Sequence, residues 1–289
     1  MDTSDLLQKV RRIEIKTREL SQNIFAGQYH SMFKGRGMAF SEVREYQFGD
    51  DVRDIDWNVT ARFHKPYIKV FEEERELTVM LLVDVSGSLD FGTTGMFKRD
   101  MATEIAATIA FSAIQNNDKI GVIFFSDRIE KYIPPQKGRK HILYIIREML
   151  NFESKSKKTN ISVPLEYLTK IVKRHCTAFI LSDFYTQESF SRQLQVARSK
   201  HDLVALQVYD QCAKMLPDVG LMKVRDAETG HEMIIDTSSK AIQKAHTQYW
   251  IDRQDALQEV FAKNKVDWTS IATNEDYVKA LLILFKKRG

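Results

Sequence analysis

Residues 79–83, Val-Met-Leu-Leu-Val, form an unbroken apolar run, and a run of this length predicts a strand buried on both faces of a parallel sheet. Apolar-rich runs at 120–125, 177–181 and 203–208 predict further strands, and 266–271 reads as a closing strand. Between them the period changes. Residues 97–114 place Met101, Ile105 and Ile109 at helical spacing, and helices are likewise expected over 139–152, over 163–174 with Pro164 in its first turn, over 242–261 and over 277–285. Ser126-Asp127 reads as a tight turn, after which residues 128–133 alternate apolar and polar positions as a short antiparallel edge strand does. The alternation of strand and helix predicts an α/β architecture: a doubly wound, mostly parallel sheet with one antiparallel edge strand and helices on both faces.

Two regions differ in pattern. Residues 1–75 begin with an amphipathic, charged helix and continue as a Gly- and Asp-rich stretch without a sustained helical period, which predicts a small N-terminal extension of loops and short strands. Residues 76–289 carry the alternating strands and helices. Within the extension, Gly35, Gly37 and Gly49 are expected at turns. Tyr46, Phe48 and Trp57 are expected to pack the extension onto the larger domain. Asp50, Asp51, Asp54 and Asp56 suggest a metal loop at first sight. Their spacing misses the D-x-D-x-D-G pattern with its distal Glu, and Arg53 and Arg62 lie close by, so internal ion pairs and helix capping are the expected roles.

Composition narrows the class. With 43% hydrophobic and 28% charged residues over 289 positions, the chain can bury one large core plus an appendage. Cys176 and Cys212 are its two cysteines and form no C-x-x-C pair, which argues against a zinc site or a disulfide framework and fits a reducing, cytoplasmic setting. No stretch approaches the about 18 consecutive apolar residues of a membrane span. A formal net charge of +4, spread along the chain without interleaved aromatic and basic residues, argues against nucleic acid as a partner. No G-x-x-x-x-G-K-[ST], H-E-x-x-H or G-x-S-x-G motif occurs, and the histidines are scattered, so an enzyme is not expected. A metal-dependent hydrolase would need a general base near the metal. Glu153 is the acidic residue offered by the loops concerned, and it is expected to be solvated.

The chemistry gathers at strand ends. Asp84-Val85-Ser86-Gly87-Ser88 follows the first strand directly, at the end where open α/β sheets bind ligands. Tracing the expected elements up and down the sheet brings the loop 153–161, containing Thr159, to the same edge, and the strand 177–181 ends there at Ser182-Asp183. Asp84, Ser86, Ser88, Thr159 and Asp183 thus converge from distant segments. Ordinary turns and caps use the same residue types, but two carboxylates and three hydroxyls also form an all-oxygen set suited to Mg²⁺ or a similar hard cation. Lys155, Lys157 and Lys158 lie beside Thr159. They are either a solvated loop or a positive rim that steers an acidic partner toward the site.

These five positions resemble the metal-ion-dependent adhesion site of von Willebrand factor A domains. The preceding segment GMAFSEVREYQFGDDVRDIDWNVTAR is similar to the family called domain of unknown function 58, whose members are associated with MoxR-type AAA+ ATPases, and the stretch LPDVGLMKVRDAETGHEMIID resembles that family's two-stranded insertion, near 211–237. The resemblance runs from about Gly35 to the C-terminus. It implies a Mg²⁺ (or Mn²⁺ or Ca²⁺) ion held by Ser86, Ser88 and Thr159 directly or nearly so, with Asp84 and Asp183 acting partly through water, and a coordination position completed by an acidic side chain of a protein partner. Ser182-Asp183-Phe184 departs from the Thr-Asp-Gly commoner in A domains.

Overall fold

A computed structural model describes residues 3–20, 39–72, 77–93, 96–186, 188–226 and 229–288. The chain forms two compact units, residues 33–77 and residues 1–32 with 78–289. The boundary expected at 75/76 therefore falls at 77/78, while the first helix belongs with the larger unit. Its outward charges conceal an inner face: Val10, Ile13 and Thr17 of α1 (Thr3–Leu20) are buried.

In the smaller unit, β1 (Ala39–Glu45) pairs antiparallel with a strand further along, and a short helix, α2 (Trp57–Phe63), lies between them before β2 (Tyr67–Glu72). The acidic cluster takes the structural roles expected of it. Asp50 accepts from both terminal guanidinium nitrogens of Arg44 at 2.8 and 2.9 Å, Asp51 caps a 3₁₀ turn over Val52–Asp54, and Asp56 caps α2 through the N–H groups of Asn58 and Val59. Gly49 has φ +108°, a conformation a side chain would disfavour, so it serves the turn assigned to it; Gly35 and Gly37 lie outside the described residues. Phe48 and Trp57 are 105% and 70% exposed. Nothing in their local sequence distinguishes a surface aromatic from a buried one.

The larger unit is built on six strands: β3 (Thr78–Asp84), β4 (Lys119–Phe125), β5 (Ile129–Gln136), β6 (Thr177–Ser182), β7 (Asp202–Tyr209) and β10 (Asp267–Ala272). Their order is β10-β7-β6-β3-β4-β5, and every neighbouring pair is parallel except the β4–β5 hairpin. The doubly wound sheet with one antiparallel edge is thus the one the sequence predicts. Pro134 and Pro135 at the end of β5 suit an edge, where missing N–H donors break no ladder and discourage further strand pairing.

The helices connecting these strands are α3 (Lys98–Gln115), α4 (Arg139–Asn151), α5 (Ser162–Ile171), α6 (Ser191–Lys200), α7 (Gln211–Lys214) and α8 (Lys240–Lys263), and α9 (Tyr277–Arg288) follows the last strand. Alternate residues of the strands face opposite layers. Met80, Leu82, Ala178 and Ile180 pack with Leu165 and Leu168 of α5, Leu194 of α6 and Phe261 of α8. On the other face Phe179 meets Phe285 of α9 edge-on, and α3 and α4 pack with α1, which is fixed by ion pairs from Glu14 to Arg139 and from Lys16 to Glu104. The insertion expected near 211–237 is a hairpin of β8 (Leu221–Arg225) and β9 (Glu232–Asp236); Glu228 of its turn lies outside the described residues. Among the described residues, no helix is long and apolar enough to cross a membrane.

Candidate metal site

The two neighbours of β3 are reached by connections running in opposite directions, through α3 to β4 on one side and from α5 into β6 on the other. This reversal makes the carboxyl end of β3 a topological switch point, the place at which doubly wound sheets bind ligands. Asp84 is the last residue of β3, and Asp183 follows the last residue of β6 in the neighbouring position. Their convergence is a consequence of parallel pairing, since parallel strands end on the same side.

The Asp84 loop is fixed by its own polar groups. Asp84 is buried; one carboxylate oxygen accepts the Ser86 N–H at 2.9 Å and the other accepts the Ser182 hydroxyl at 2.6 Å. A 3₁₀ turn over Gly87–Asp90 follows, and the buried hydroxyls of Ser86 and Ser88 stand 3.1 Å apart. The Thr159 loop is pinned from three sides: the Gly87 N–H donates to the Lys157 carbonyl at 3.1 Å, the Asn160 N–H to the Ser126 carbonyl at 3.1 Å, and the Thr186 hydroxyl to the Thr159 carbonyl at 3.3 Å. All five predicted residues are buried, and the bonds among their loops bring the three segments together. The Thr159 hydroxyl oxygen is itself buried without a hydrogen-bond partner.

Asp183 is held by an ion pair. Lys98, the first residue of α3, places its ammonium 2.7 Å from one carboxylate oxygen of Asp183, and the Tyr185 N–H donates to the other at 3.0 Å. Burial alone would raise the Asp183 pKa, but the charge and hydrogen bond of Lys98, with help from the Tyr185 N–H and the Ser88 hydroxyl, hold it below the ordinary carboxylate value. Asp84 goes the other way. Burial, then the charge of Asp183, push its carboxyl up to about 7. Two carboxylates so close and so dry resist being ionised together unless a cation offsets them.

The Ser182-Asp183-Phe184 departure also has a physical account. Phe184 has φ 54°, the left-handed region where Gly is free and a side chain is strained. The strain is held by packing. The Phe184 ring is buried edge-on against Phe261 with Phe190 alongside, its N–H donates to the Ser182 hydroxyl at 2.9 Å, and its carbonyl accepts from Arg253.

Lys155, Lys157 and Lys158 are exposed at the rim, next to Thr159, and Glu153 is exposed as expected. Asp127 stays with the β4–β5 turn, accepting from Arg128 at 3.1 Å. Sequence reasoning missed Lys98. Its signal was weak but present: a lysine opening an 18-residue helix opposes the helix dipole, and so asks for a nearby anion. Among the described residues, no group of three or more His, Cys, Asp or Glu is arranged to hold a metal, so any cation here would rely on hydroxyls together with two carboxylates.

The chain is 32% identical over 232 residues to the uncharacterized protein Rv1480 of Mycobacterium tuberculosis (strain ATCC 25618 / H37Rv), covering 80% of this chain and 73% of that one. Among solved structures, an aerotolerance-related membrane protein from Bacteroides fragilis NCTC 9343 aligns with TM-score 0.50 at 15% identity, over 73% of this chain and 99% of that one, a likeness of fold. The von Willebrand factor A domain of SpRpn10 aligns with TM-score 0.41 at 11% identity, over 72% of this chain and 94% of that one. The fold is α/β, with a six-stranded, mostly parallel sheet. The family model for protein of unknown function DUF58 matches residues 42–256, most of both units, and the chain belongs to that family.

Proposed function

We propose that this chain is a divalent-cation-dependent protein-interaction module whose binding face is the carboxyl edge of β3 and β6. The observation that carries the reading is the buried Thr159 hydroxyl oxygen without a partner, set among loops that supply two further hydroxyls and two carboxylates. A buried oxygen acceptor left without a bond is costly, and a hard cation is a partner suited to it. Ser86, Ser88 and Thr159, with Asp84 and Asp183, would hold Mg²⁺, Mn²⁺ or Ca²⁺. A bound ion would supply an electrophilic position that a carboxylate of another protein can complete. Lys155, Lys157 and Lys158 would draw that acidic partner in. By family resemblance the module would work with a MoxR-type AAA+ ATPase in protein assembly or remodelling, in the cytoplasm.

The reading is non-catalytic. A metal-dependent hydrolase would need a free base near the reacting water, and Asp84, the carboxyl with the raised pKa, has both oxygens engaged by Ser86 and Ser182. Nucleic acid is not favoured as partner, because the site rests on buried carboxylates.

Calorimetric titration of Mg²⁺ and Mn²⁺ tests the proposal directly. The wild-type chain should take up the ion, and the Asp84→Ala/Ser86→Ala double variant should lose uptake with an unchanged circular dichroism spectrum. Retained uptake in the variant, or none in the wild type, would refute it. A pull-down from native lysate with and without chelator tests the partner, and phosphoester turnover abolished by Asp84→Ala would restore the hydrolase.

A further inference from the structure

Lys98 occupies an unusual place for a cation. It begins α3, where the helix dipole disfavours positive charge, and its side chain is only 9% exposed. Its backbone N–H donates to the Phe91 carbonyl at 3.1 Å, and its ammonium lies 5.9 Å from the centre of the Phe91 ring. The chain thus spends two contacts on holding a lysine at a carboxylate that is itself 8% exposed. We propose that Lys98 is a tethered counter-cation that competes with the divalent ion for Asp183 and so sets the metal affinity of the site. This rests on the metal-binding reading above.

The physical basis is charge compensation. When both are ionised, Asp84 and Asp183 offer two negative charges, and Lys98 already offsets one of them at 2.7 Å. A divalent ion entering this cluster meets a like charge in surroundings of low dielectric constant, where repulsion is weakly screened. Either the ammonium withdraws from Asp183, or the ion binds against it. Both routes lower affinity relative to a site with the same oxygens and no lysine. An exposed lysine would not act in this way, because solvent and salt would screen it.

The test is titration of Mn²⁺ into the full chain for wild type, Lys98→Met, Lys98→Arg and Asp84→Ala. Lys98→Met should bind about ten-fold more tightly than wild type or better, and Lys98→Arg, which keeps the charge, should stay within roughly three-fold of wild type. Equal or weaker binding by Lys98→Met, with wild-type uptake intact and lost in Asp84→Ala, overturns the role of Lys98 and leaves the metal reading standing. Uptake by none of the proteins overturns both. Thermal unfolding followed by circular dichroism keeps the test decisive if the Met variant is weakly folded: Mn²⁺ should raise its midpoint by more than it raises that of wild type. A rise no larger than wild type's, or a variant unfolded with and without Mn²⁺, makes Lys98 a structural residue and ends the proposal. Lys98→Gln should behave as Lys98→Met does.

Discussion

Asp183→Ala, Lys98→Met and the double variant form a cycle whose outcome follows from the burial of the pair. Both side chains are less than a tenth exposed, and their charged atoms lie 2.7 Å apart. Removing one partner of such a pair leaves the other as an uncompensated buried charge, at a cost of about 3–5 kcal/mol. In the absence of metal, Lys98→Met leaves the Asp183 carboxylate, and Asp183→Ala the Lys98 ammonium, without the partner that compensates it. The double variant loses both charges and exchanges them for apolar surface, so its cost should be about 1–2 kcal/mol, well short of the sum of the singles. Urea unfolding in EDTA, followed by circular dichroism, should therefore report a coupling of about 4 kcal/mol or more at unchanged m-value. Additivity to within about 0.5 kcal/mol would show that the two groups do not depend on each other, and the electrostatic account of the site would fall with it.

Two further expectations test other parts of the molecule. His201 is buried with its Nδ1 3.3 Å from Cys176 Sγ, and burial, then the nearby His175 and Lys200, push its pKa down from 6.5 to about 4. The folded chain therefore binds fewer protons than the unfolded chain between these values. The stability is complete above pH 6.5 and falls as pH drops toward 4, by at most about 3 kcal/mol, and His201→Leu should flatten that slope in urea midpoints; an identical slope in the variant would count against it. Replacing Lys155, Lys157 and Lys158 by Ser should slow association of the Mn²⁺-loaded chain with a glutamate-rich model peptide in stopped flow and flatten its salt dependence, whereas an unaltered on-rate would remove the steering role.

Much of the fold was legible because burial leaves its mark on composition. The strands β3, β4, β6 and β7 are largely apolar runs, since both faces are covered by helices. Where covering is partial, the signal fades. Helix α6 buries only Leu194 and Ala197 among polar residues, and α2 buries none, so neither stands out from its surroundings. Helix α1 was legible as a helix, yet its membership of the larger unit depends on contacts with α3 and α4 that no local period encodes.

The candidate site divides in the same way. The sequence by itself determined that Asp84, Ser86 and Ser88 stand at a strand end and that Thr159 and Asp183 come to the same edge, because strand direction and connection order leave little freedom in a doubly wound sheet. Only the tertiary structure decided what surrounds those oxygens: Lys98 against Asp183, Ser182 beneath Asp84, Phe184 wedged into a left-handed turn by Phe190 and Phe261, and a Thr159 hydroxyl left without a bond. Periodicity fixes which way a segment faces and where it ends. The charge a buried carboxyl carries depends on every group packed within a few ångströms of it, and those groups come from all over the chain.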